Sequence, residues 1–312
     1  MKTFAFVFPG QGSQSVGMLN AWGDHPAVRQ TMQEASDALD VDLQWLIREG
    51  PKEQLDLTTN TQPVMLAAGI ACYRAWMSET HSAPAVVAGH SLGEYTALVA
   101  AGVLTLADAL PLVRFRAQAM QDAVPVGVGA MAAILGIDAE TVRQGCMAVV
   151  AATGEVEEAA NFNGPTQTVI AGSKAGVEKA CAALKAQGAK RAMFLPVSAP
   201  FHSSLMKPAA ERLKERLMAI QISAPQIPVI NNIDVATETA PDAIRDALYR
   251  QAFGAVRWVE TGHALHARGI THVLECGPGK VLSHMVKRIE HDAVTGTVYD
   301  PASMAEARGL LA

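Results

Sequence analysis

The ten-residue stretch VVAGHSLGEY restricts the fold more strongly than any other part of the chain. An apolar run ends at Gly89, and Gly93 follows four residues later with Ser91 midway between them. This G-x-S-x-G spacing is typical of a sharp turn from a strand into a helix, because glycines let two stretches of backbone approach closely around an exposed serine. We therefore predict a buried strand at 85–88, a helix at 92–101 and a candidate nucleophile at Ser91. A turn that only begins a helix is the simpler alternative.

A serine nucleophile needs a base, and His202 in the segment VSAPFHSSLM is the strongest candidate among the nine histidines. It follows the end of a predicted strand and precedes an amphipathic stretch, so a loop there can carry the imidazole to Ser91. Helix capping or a surface position is the competing interpretation of His202. His90 is adjacent to the serine, and the turn directs its side chain elsewhere, so we expect His90 to line a pocket.

Short apolar strands alternate with helical stretches in the first hundred residues and again after residue 204. The predicted elements there are a strand at 4–8, helices at 26–48 and 62–77, an amphipathic helix at 204–220, a strand at 229–232, a helix at 243–252 and a strand at 273–275. Such alternation predicts a parallel α/β sheet, whose ligands bind beyond the carboxyl ends of the strands. Glycine-rich turns follow two of these strand ends, after Phe8 and after Ala88.

The middle of the chain has a different pattern. Its predicted elements are strands at 130–135, 156–162, 168–171 and 191–197 and helices at 139–147 and 175–186, with a hairpin turn through Asn163-Gly164-Pro165. The order βαββαβ is the ferredoxin-like pattern. We predict a small α+β subdomain at 128–196, inserted into a large α/β-hydrolase-like domain made of 1–127 and 197–312. A cleft between two such units is a common place for a substrate pocket.

Composition argues against several classes of protein. Half of the 312 residues are hydrophobic and 18% are charged, which is enough for a large core and unlike a disordered chain. The net charge of −5 disfavours a nucleic-acid partner. No apolar run approaches the roughly 18 residues that cross a membrane. The opening run breaks at Pro9-Gly10 and is too short for a signal peptide.

Two observations argue against a metal or a tightly bound cofactor. The four cysteines lie far apart and form no C-x-x-C pair, which disfavours a zinc site or dense disulfides and favours a reducing cytoplasm. The turn FPGQGSQSVG begins like a dinucleotide-binding loop, but Ser15 occupies the position of the third glycine. We therefore expect neither a metal nor a cofactor.

Two further features can act on the substrate of such a serine. The backbone N–H of Gln11, in the turn after the first strand, can donate to a developing oxyanion. Arg114 and Arg116 lie in an otherwise apolar helical stretch. A buried arginine beside the serine turn would need an anion, and its planar group suits a carboxylate. Two solvated arginines are the simpler interpretation of that stretch.

Motifs along almost the whole chain resemble the malonyl-CoA:acyl carrier protein transacylases of bacterial fatty acid synthesis and the acyltransferase domains of polyketide synthases. In chain order they are FPGQGSQ, TQP at 61–63, GHSLGEY, R-x-x-x-M from Arg116 to Met120, GAMAAILG, NFNGPTQ, PFH at 200–202, VRW at 256–258 and GPGKVL. Each motif alone is weak evidence, whereas their order and spacing are highly specific. One departure is Ala255, where the family usually has a proline before VRW.

The resemblance implies a catalytic dyad. Ser91 is the nucleophile and His202 its base. In this family a backbone carbonyl orients the imidazole in place of the Asp of a triad, and Gln251 matches the residue that supplies the carbonyl.

The resemblance also implies how the substrate is bound. The backbone N–H groups of Gln11 and Leu92 form the oxyanion hole, and Arg116 binds the free carboxylate of the malonyl group. Further residues that border the pocket are His90, by its place in the turn, and Asn161, Asn163 and Gln167, by their match to the family's small subdomain.

The activity implied is a ping-pong transfer in the cytoplasm, in which the serine takes malonyl from malonyl-CoA and passes it to the phosphopantetheine thiol of holo acyl carrier protein. The malonyl transacylase subunit of a malonate decarboxylase system performs the same chemistry, and these motifs do not separate the two. A serine esterase or thioesterase leaves Arg116 and the missing triad acid unexplained. A catalytically inactive docking module has no need for both Ser91 and His202.

An acidic carrier protein would dock on a local basic patch, since the chain as a whole is slightly acidic. The candidate docking residues are Lys190, Arg191, Lys207, Lys280, Lys287 and Arg288. Ordinary solvated surface is the competing interpretation of most of them.

Overall fold

Two β-sheets organise the chain, and the computed structural model describes residues 2–312. The strands are β1 (Phe4–Phe8), β2 (Val86–Gly89), β3 (Gly129–Leu135), β4 (Glu157–Gly164), β5 (Gln167–Ser173), β6 (Arg191–Phe194), β7 (Val229–Ile230), β8 (His272–Cys276) and β9 (Val294–Val298). The larger sheet has the order β7-β2-β1-β8-β9, and all of its neighbouring strands are parallel. This is the predicted parallel α/β sheet.

The smaller sheet is antiparallel and has the order β4-β5-β3-β6. That order is the ferredoxin-like arrangement expected from the βαββαβ sequence pattern. The predicted fold class, a parallel α/β sheet with a small α+β part, is therefore confirmed. The hairpin differs in detail from the prediction. Asn163 and Gly164 belong to β4, and the turn is made by Pro165 and Thr166.

Helices cover the parallel sheet and one face of the small sheet. They are α1 (Pro26–Leu39), α2 (Leu43–Glu49), α3 (Lys52–Leu55), α4 (Thr58–Thr80), α5 (Leu92–Ala100), α6 (Leu106–Asp122), α7 (Ala139–Thr153), α8 (Lys174–Ala186), α9 (Lys207–Ala219), α10 (Pro241–Gln251), α11 (Trp258–Ala267), α12 (Val281–Ile289) and α13 (Pro301–Leu311). Helix α5, which follows the serine turn, starts at Leu92 as the sequence predicts. Two strands are shorter than predicted, because the stretches 191–197 and 229–232 are regular strands only as far as Phe194 and Ile230.

The prediction of a single helix over 26–48 is wrong, because the chain turns sharply between α1 and α2. Asp40 has a φ of 53° and ends α1 in the left-handed conformation. The side chain of Asp42 then accepts a hydrogen bond from the Trp45 backbone N–H at 2.8 Å and begins α2. Apolar spacing continues through this break, so periodicity alone does not reveal it.

The centre of the parallel sheet is fully buried. All five residues of β1 are buried, and Phe6 packs edge-to-face against Tyr73 and Trp76 of α4. A strand covered on both faces reads as a continuous apolar run, which is what residues 4–8 show. The turns at the carboxyl ends of β1 and β2 therefore start from rigid positions.

Main-chain hydrogen bonds join the small sheet to a loop of the large domain. The Phe162 N–H donates to the Val256 carbonyl at 2.9 Å, and the Val256 N–H donates to the Ala160 carbonyl at 2.9 Å. Strand β4 is thereby tied to the loop that precedes α11. All four cysteines are free and buried. In residues 2–312, no helix is long and apolar enough to cross a membrane, and no cluster of three or more potential metal ligands occurs.

Candidate active site

The turn between β2 and α5 requires its glycines. A Cβ on Gly89 would lie 1.9 Å from the Gly93 carbonyl carbon, and a Cβ on Gly93 would lie 2.0 Å from the Phe8 carbonyl oxygen. Between these glycines, Ser91 has a φ of 53° and a ψ of −109°. A non-glycine residue rarely adopts that conformation and does so mainly where the surroundings impose it at a functional site. The structure thus has the sharp turn that the sequence predicts. We call this strained turn, residues 89–93, the elbow.

Ser91 and His202 lie within hydrogen-bonding distance. Ser91 Oγ is 2.7 Å from His202 Nε2, across 111 residues of sequence. On the other side of the ring, His202 Nδ1 lies 3.0 Å from the Gln251 carbonyl oxygen and 3.1 Å from that of Gly254. Two carbonyl acceptors require the proton on Nδ1, which leaves Nε2 free to accept the serine proton. Gly254 is a second orienting carbonyl that the sequence analysis did not find.

The imidazole is held in its neutral form. His202 is buried, and burial together with the charges of Arg116 and His90 lowers the pKa of its ring to about 3. The hydrogen bonds to the two backbone carbonyls act in the opposite direction. His202 is therefore an unprotonated base near neutral pH, as a general base must be.

Arg116 is buried beside the dyad, with 2% of its surface exposed. Its Nη1 donates to the Gln62 side-chain oxygen at 2.8 Å, and its Nη2 donates to the Gln251 side-chain oxygen at 3.1 Å and to Ser91 Oγ at 3.4 Å. The guanidinium also lies over the Tyr95 ring. Within residues 2–312 it forms no ion pair with a carboxylate, and its Nε has no hydrogen-bond partner. A buried cation whose hydrogen-bond partners are all neutral is well suited to an anionic ligand.

A cavity of about 200 Å³ opens in front of Ser91. Gln11 and Leu92 line it, and neither backbone N–H donates to an acceptor within residues 2–312. Leu92 is the first residue of α5, so its N–H has no acceptor inside the helix. Two free donors beside a nucleophile suit a developing oxyanion.

The small sheet contributes the opposite wall of the cavity. Asn161 and Asn163 of β4 line it together with His90. His90 Nε2 lies 2.8 Å from Asn163 Oδ1, a contact that links the serine turn to β4. Gln167 does not line this cavity. It is the first residue of β5 and pairs with Leu135. The last residue of the NFNGPTQ motif is thus absent from the cavity wall, to which β5 contributes Val169 instead.

Comparisons with known proteins agree with this geometry. Residues 5–305 match the acyl transferase domain family. The malonyl CoA-acyl carrier protein transacylase of Escherichia coli strain K12 is 51% identical over 308 residues, which are 98% of this chain and 99% of that protein. The transacylase of the same name from Bacillus subtilis strain 168 is 47% identical over 307 residues, covering 97% of this chain and 96% of that one.

This chain belongs to the malonyl-CoA:acyl carrier protein transacylase family. Solved transacylase structures superpose closely on it. The acyl-carrier-protein S-malonyltransferase of Burkholderia pseudomallei 1710b is 62% identical, has a TM-score of 0.96 and covers 98% of this chain and 99% of its own. A malonyl-transacylase solved with a type II PKS acyl-carrier protein is 48% identical, also with a TM-score of 0.96 and with 98% and 99% covered. The resemblance stated from the motifs is confirmed.

Besides Gly254, two more residues of this transacylase site escaped the sequence analysis. Gln62, within the quoted TQP motif, contacts Arg116. Asn232 follows β7, and its Oδ1 accepts the Ser91 N–H at 2.7 Å while its Nδ2 donates to the Gly89 carbonyl at 2.7 Å. For Asn232 the available signal was a polar residue just after a parallel strand, because ligand sites lie at that edge of the sheet. Gln62 lies inside α4 and has no such signal.

Proposed function

We propose that the protein transfers malonyl groups from malonyl-CoA to the phosphopantetheine thiol of acyl carrier protein, in fatty acid biosynthesis, through an acyl intermediate on Ser91. The observation that carries this proposal is the position of Ser91 Oγ, 2.7 Å from His202 Nε2 and 3.4 Å from Arg116 Nη2. A nucleophile, a neutral base and a buried cation thus meet at one point of the cavity. The transacylase relatives act on these substrates by name.

In the first half-reaction, His202 Nε2 takes the proton of Ser91 as the serine oxygen attacks the thioester carbonyl carbon. The negative charge moves to the carbonyl oxygen, where the N–H groups of Gln11 and Leu92 stabilise it. When the tetrahedral intermediate collapses, the carbon–sulfur bond breaks and coenzyme A leaves. Its sulfur takes the proton from the His202 imidazolium.

The second half-reaction reverses these steps with a different thiol. His202 removes the proton of the carrier's phosphopantetheine thiol, and the sulfur attacks the ester carbonyl of malonyl-Ser91. The intermediate collapses with cleavage of the bond to Ser91 Oγ, which regains its proton from His202. The two carbonyls at His202 Nδ1 stabilise the imidazolium in both directions.

Arg116 selects the malonyl group. The carboxylate of malonyl is one methylene away from the reacting carbonyl, so the cation that binds it must lie close to Ser91 Oγ, as Arg116 does. An acetyl group leaves this buried guanidinium without an anion. A site built around a charge discriminates more strongly than an apolar pocket. The substrate carboxylate also offsets the positive charge of Arg116. That charge then opposes the protonation of His202 less strongly.

The remaining roles belong to the same proposal. His90, Asn161 and Asn163 line the pocket. Residues 128–196 form a subdomain that provides one wall of this pocket, and the large domain made of 1–127 and 197–312 provides the other. The six basic residues named as docking candidates are all exposed, and an acidic carrier protein is their partner. The reaction takes place in the cytoplasm, where thiols remain reduced.

Mass spectrometry of the Ser91 peptide tests the transfer. After incubation with malonyl-CoA, the peptide is expected to carry a malonyl group, and added holo acyl carrier protein is expected to remove it and become malonylated. Ser91→Ala is the control that should acquire no label. Rapid loss of the label to water, without a malonylated carrier, would identify a thioesterase instead.

A further inference from the structure

We propose that Glu94 is a positioning residue for acyl transfer, because one of its carboxyl oxygens orients both the Gln251 side chain and the segment that braces the serine turn. The inference rests on the proposed function. Glu94 lies in the first turn of α5 and is 2% exposed. Its Oε2 accepts a hydrogen bond from the Asn232 backbone N–H at 2.8 Å and another from Gln251 Nε2 at 3.0 Å. It does not touch the substrate cavity.

Through Gln251, Glu94 is linked both to Arg116 and to His202. The Gln251 side-chain oxygen accepts from Arg116 Nη2 at 3.1 Å, and its backbone carbonyl accepts from His202 Nδ1 at 3.0 Å. Gln251 Nε2 also donates to the Ser91 carbonyl at 3.0 Å. A change in the side chain of Gln251 therefore reaches the carboxylate-binding arginine directly.

The donors and acceptors around Glu94 permit only one orientation of the Gln251 amide. The Asn232 N–H is a backbone donor, so residue 94 must present an oxygen to it. That same oxygen, together with the Ser91 carbonyl, requires the NH₂ end of Gln251, which leaves the amide oxygen for Arg116. The reversed amide would direct its NH₂ group at the guanidinium, which has only donors.

Glu94 also supports the elbow from outside. By accepting the N–H of Asn232 it positions a residue whose side chain bonds the Ser91 N–H and the Gly89 carbonyl. The same carboxyl oxygen therefore links the turn that carries the nucleophile to the amide that orients Arg116.

The role depends on an oxygen acceptor and not on a charge. Both hydrogen bonds end on Oε2, so a glutamine at position 94 can replace them with its single carbonyl oxygen. Burial raises the pKa of Glu94 to about 7, and the site therefore tolerates the neutral form. Glu94→Gln should retain the function and Glu94→Ala should lose it.

The test compares kcat/KM for malonyl-CoA with kcat/KM for acetyl-CoA, using the purified full chain and holo acyl carrier protein. This ratio does not depend on the fraction of folded enzyme, so a merely structural role would leave it unchanged. For Glu94→Ala we expect the ratio to fall about tenfold, because the Gln251 amide oxygen would lose its alignment with the charged Arg116 guanidinium. For Glu94→Gln we expect a ratio within about threefold of the wild type. Thr96→Val, also buried in α5, is the matched control.

An unchanged ratio in folded Glu94→Ala would overturn the inference. A loss in Glu94→Gln as large as that expected for alanine would overturn it as well, and this measurement suffices if the alanine variant does not fold. A wild-type protein that transfers no malonyl group would instead contradict the proposed function.

Discussion

Replacing Arg116 by methionine should make the enzyme more sensitive to acid, because the guanidinium opposes protonation of His202. Arg116 Nη2 is 3.4 Å from Ser91 Oγ, which is 2.7 Å from His202 Nε2. The two charged groups are therefore at most about 6 Å apart, and at an effective dielectric constant of about 20 they repel by about 3 kcal/mol. Since about 1.4 kcal/mol corresponds to one pKa unit, this repulsion, which adds to the larger effect of burial, is large enough to move the acid limb of the pH profile.

The sign follows from the role of the base. His202 must be neutral to accept the serine proton, so activity falls when the pH drops through its pKa. Burial, Arg116 and His90 together lower that pKa to about 3. Without the Arg116 charge the pKa rises, and the acid limb of the pH–rate profile should move upward by about 1–2 pH units.

The assay is the pH dependence of kcat/KM with acetyl-CoA, which reports the pKa of the base in the free enzyme. Acetyl carries no carboxylate, so it leaves the Arg116 charge unpaired in the wild type. Arg116→Lys retains a positive charge and should keep its acid limb near that of the wild type, whereas Arg116→Met should not. Coincident acid limbs for the methionine variant and the wild type would refute the reasoning.

Two further predictions concern stability. Gly93→Ala places a Cβ 2.0 Å from the Phe8 carbonyl oxygen and should lower the free energy of unfolding by about 1–3 kcal/mol or prevent folding. Gly309→Ala, where a Cβ meets nothing within 4 Å, should leave the melting temperature unchanged or raise it. Burial raises the pKa of Glu157 to about 8, so its ionisation favours unfolding as the pH rises from about 4.5 to 8. Glu157→Gln should match the wild type in thermal melts at pH 4 and exceed it by about 1–3 kcal/mol at pH 9, with Glu215→Gln at an exposed position as the control.

Local chemistry made the elbow predictable from the sequence. Gly89 and Gly93 are separated by a spacing that is typical of a close backbone approach, and the apolar runs before and after them indicate a strand and a helix. The βαββαβ order of the small sheet was predictable for the same reason, since the spacing of apolar residues differs between strands and helices. The break at Asp40 was not, because the apolar spacing of α1 continues into α2.

Contacts between distant segments were harder to predict. Gln62 reaches Arg116 across 54 residues, and Asn232 reaches Ser91 across 141. Neither residue has a local pattern that indicates its partner, since an amide side chain bonds donors and acceptors alike. Gly254 contributes only a carbonyl oxygen, which every residue possesses. Such roles depend on the path of the chain and become visible only in three dimensions.

The buried cysteines have a consequence for the fidelity of a reaction between thioesters. Exchange of an acyl group between thiols requires an accessible thiolate. Cys72, Cys146, Cys181 and Cys276 are all buried. Burial raises the pKa of Cys72 and Cys146 to about 12 and that of Cys181 to about 11. Acyl groups that arrive on one thiol and leave on another therefore meet no accessible cysteine thiolate on this chain.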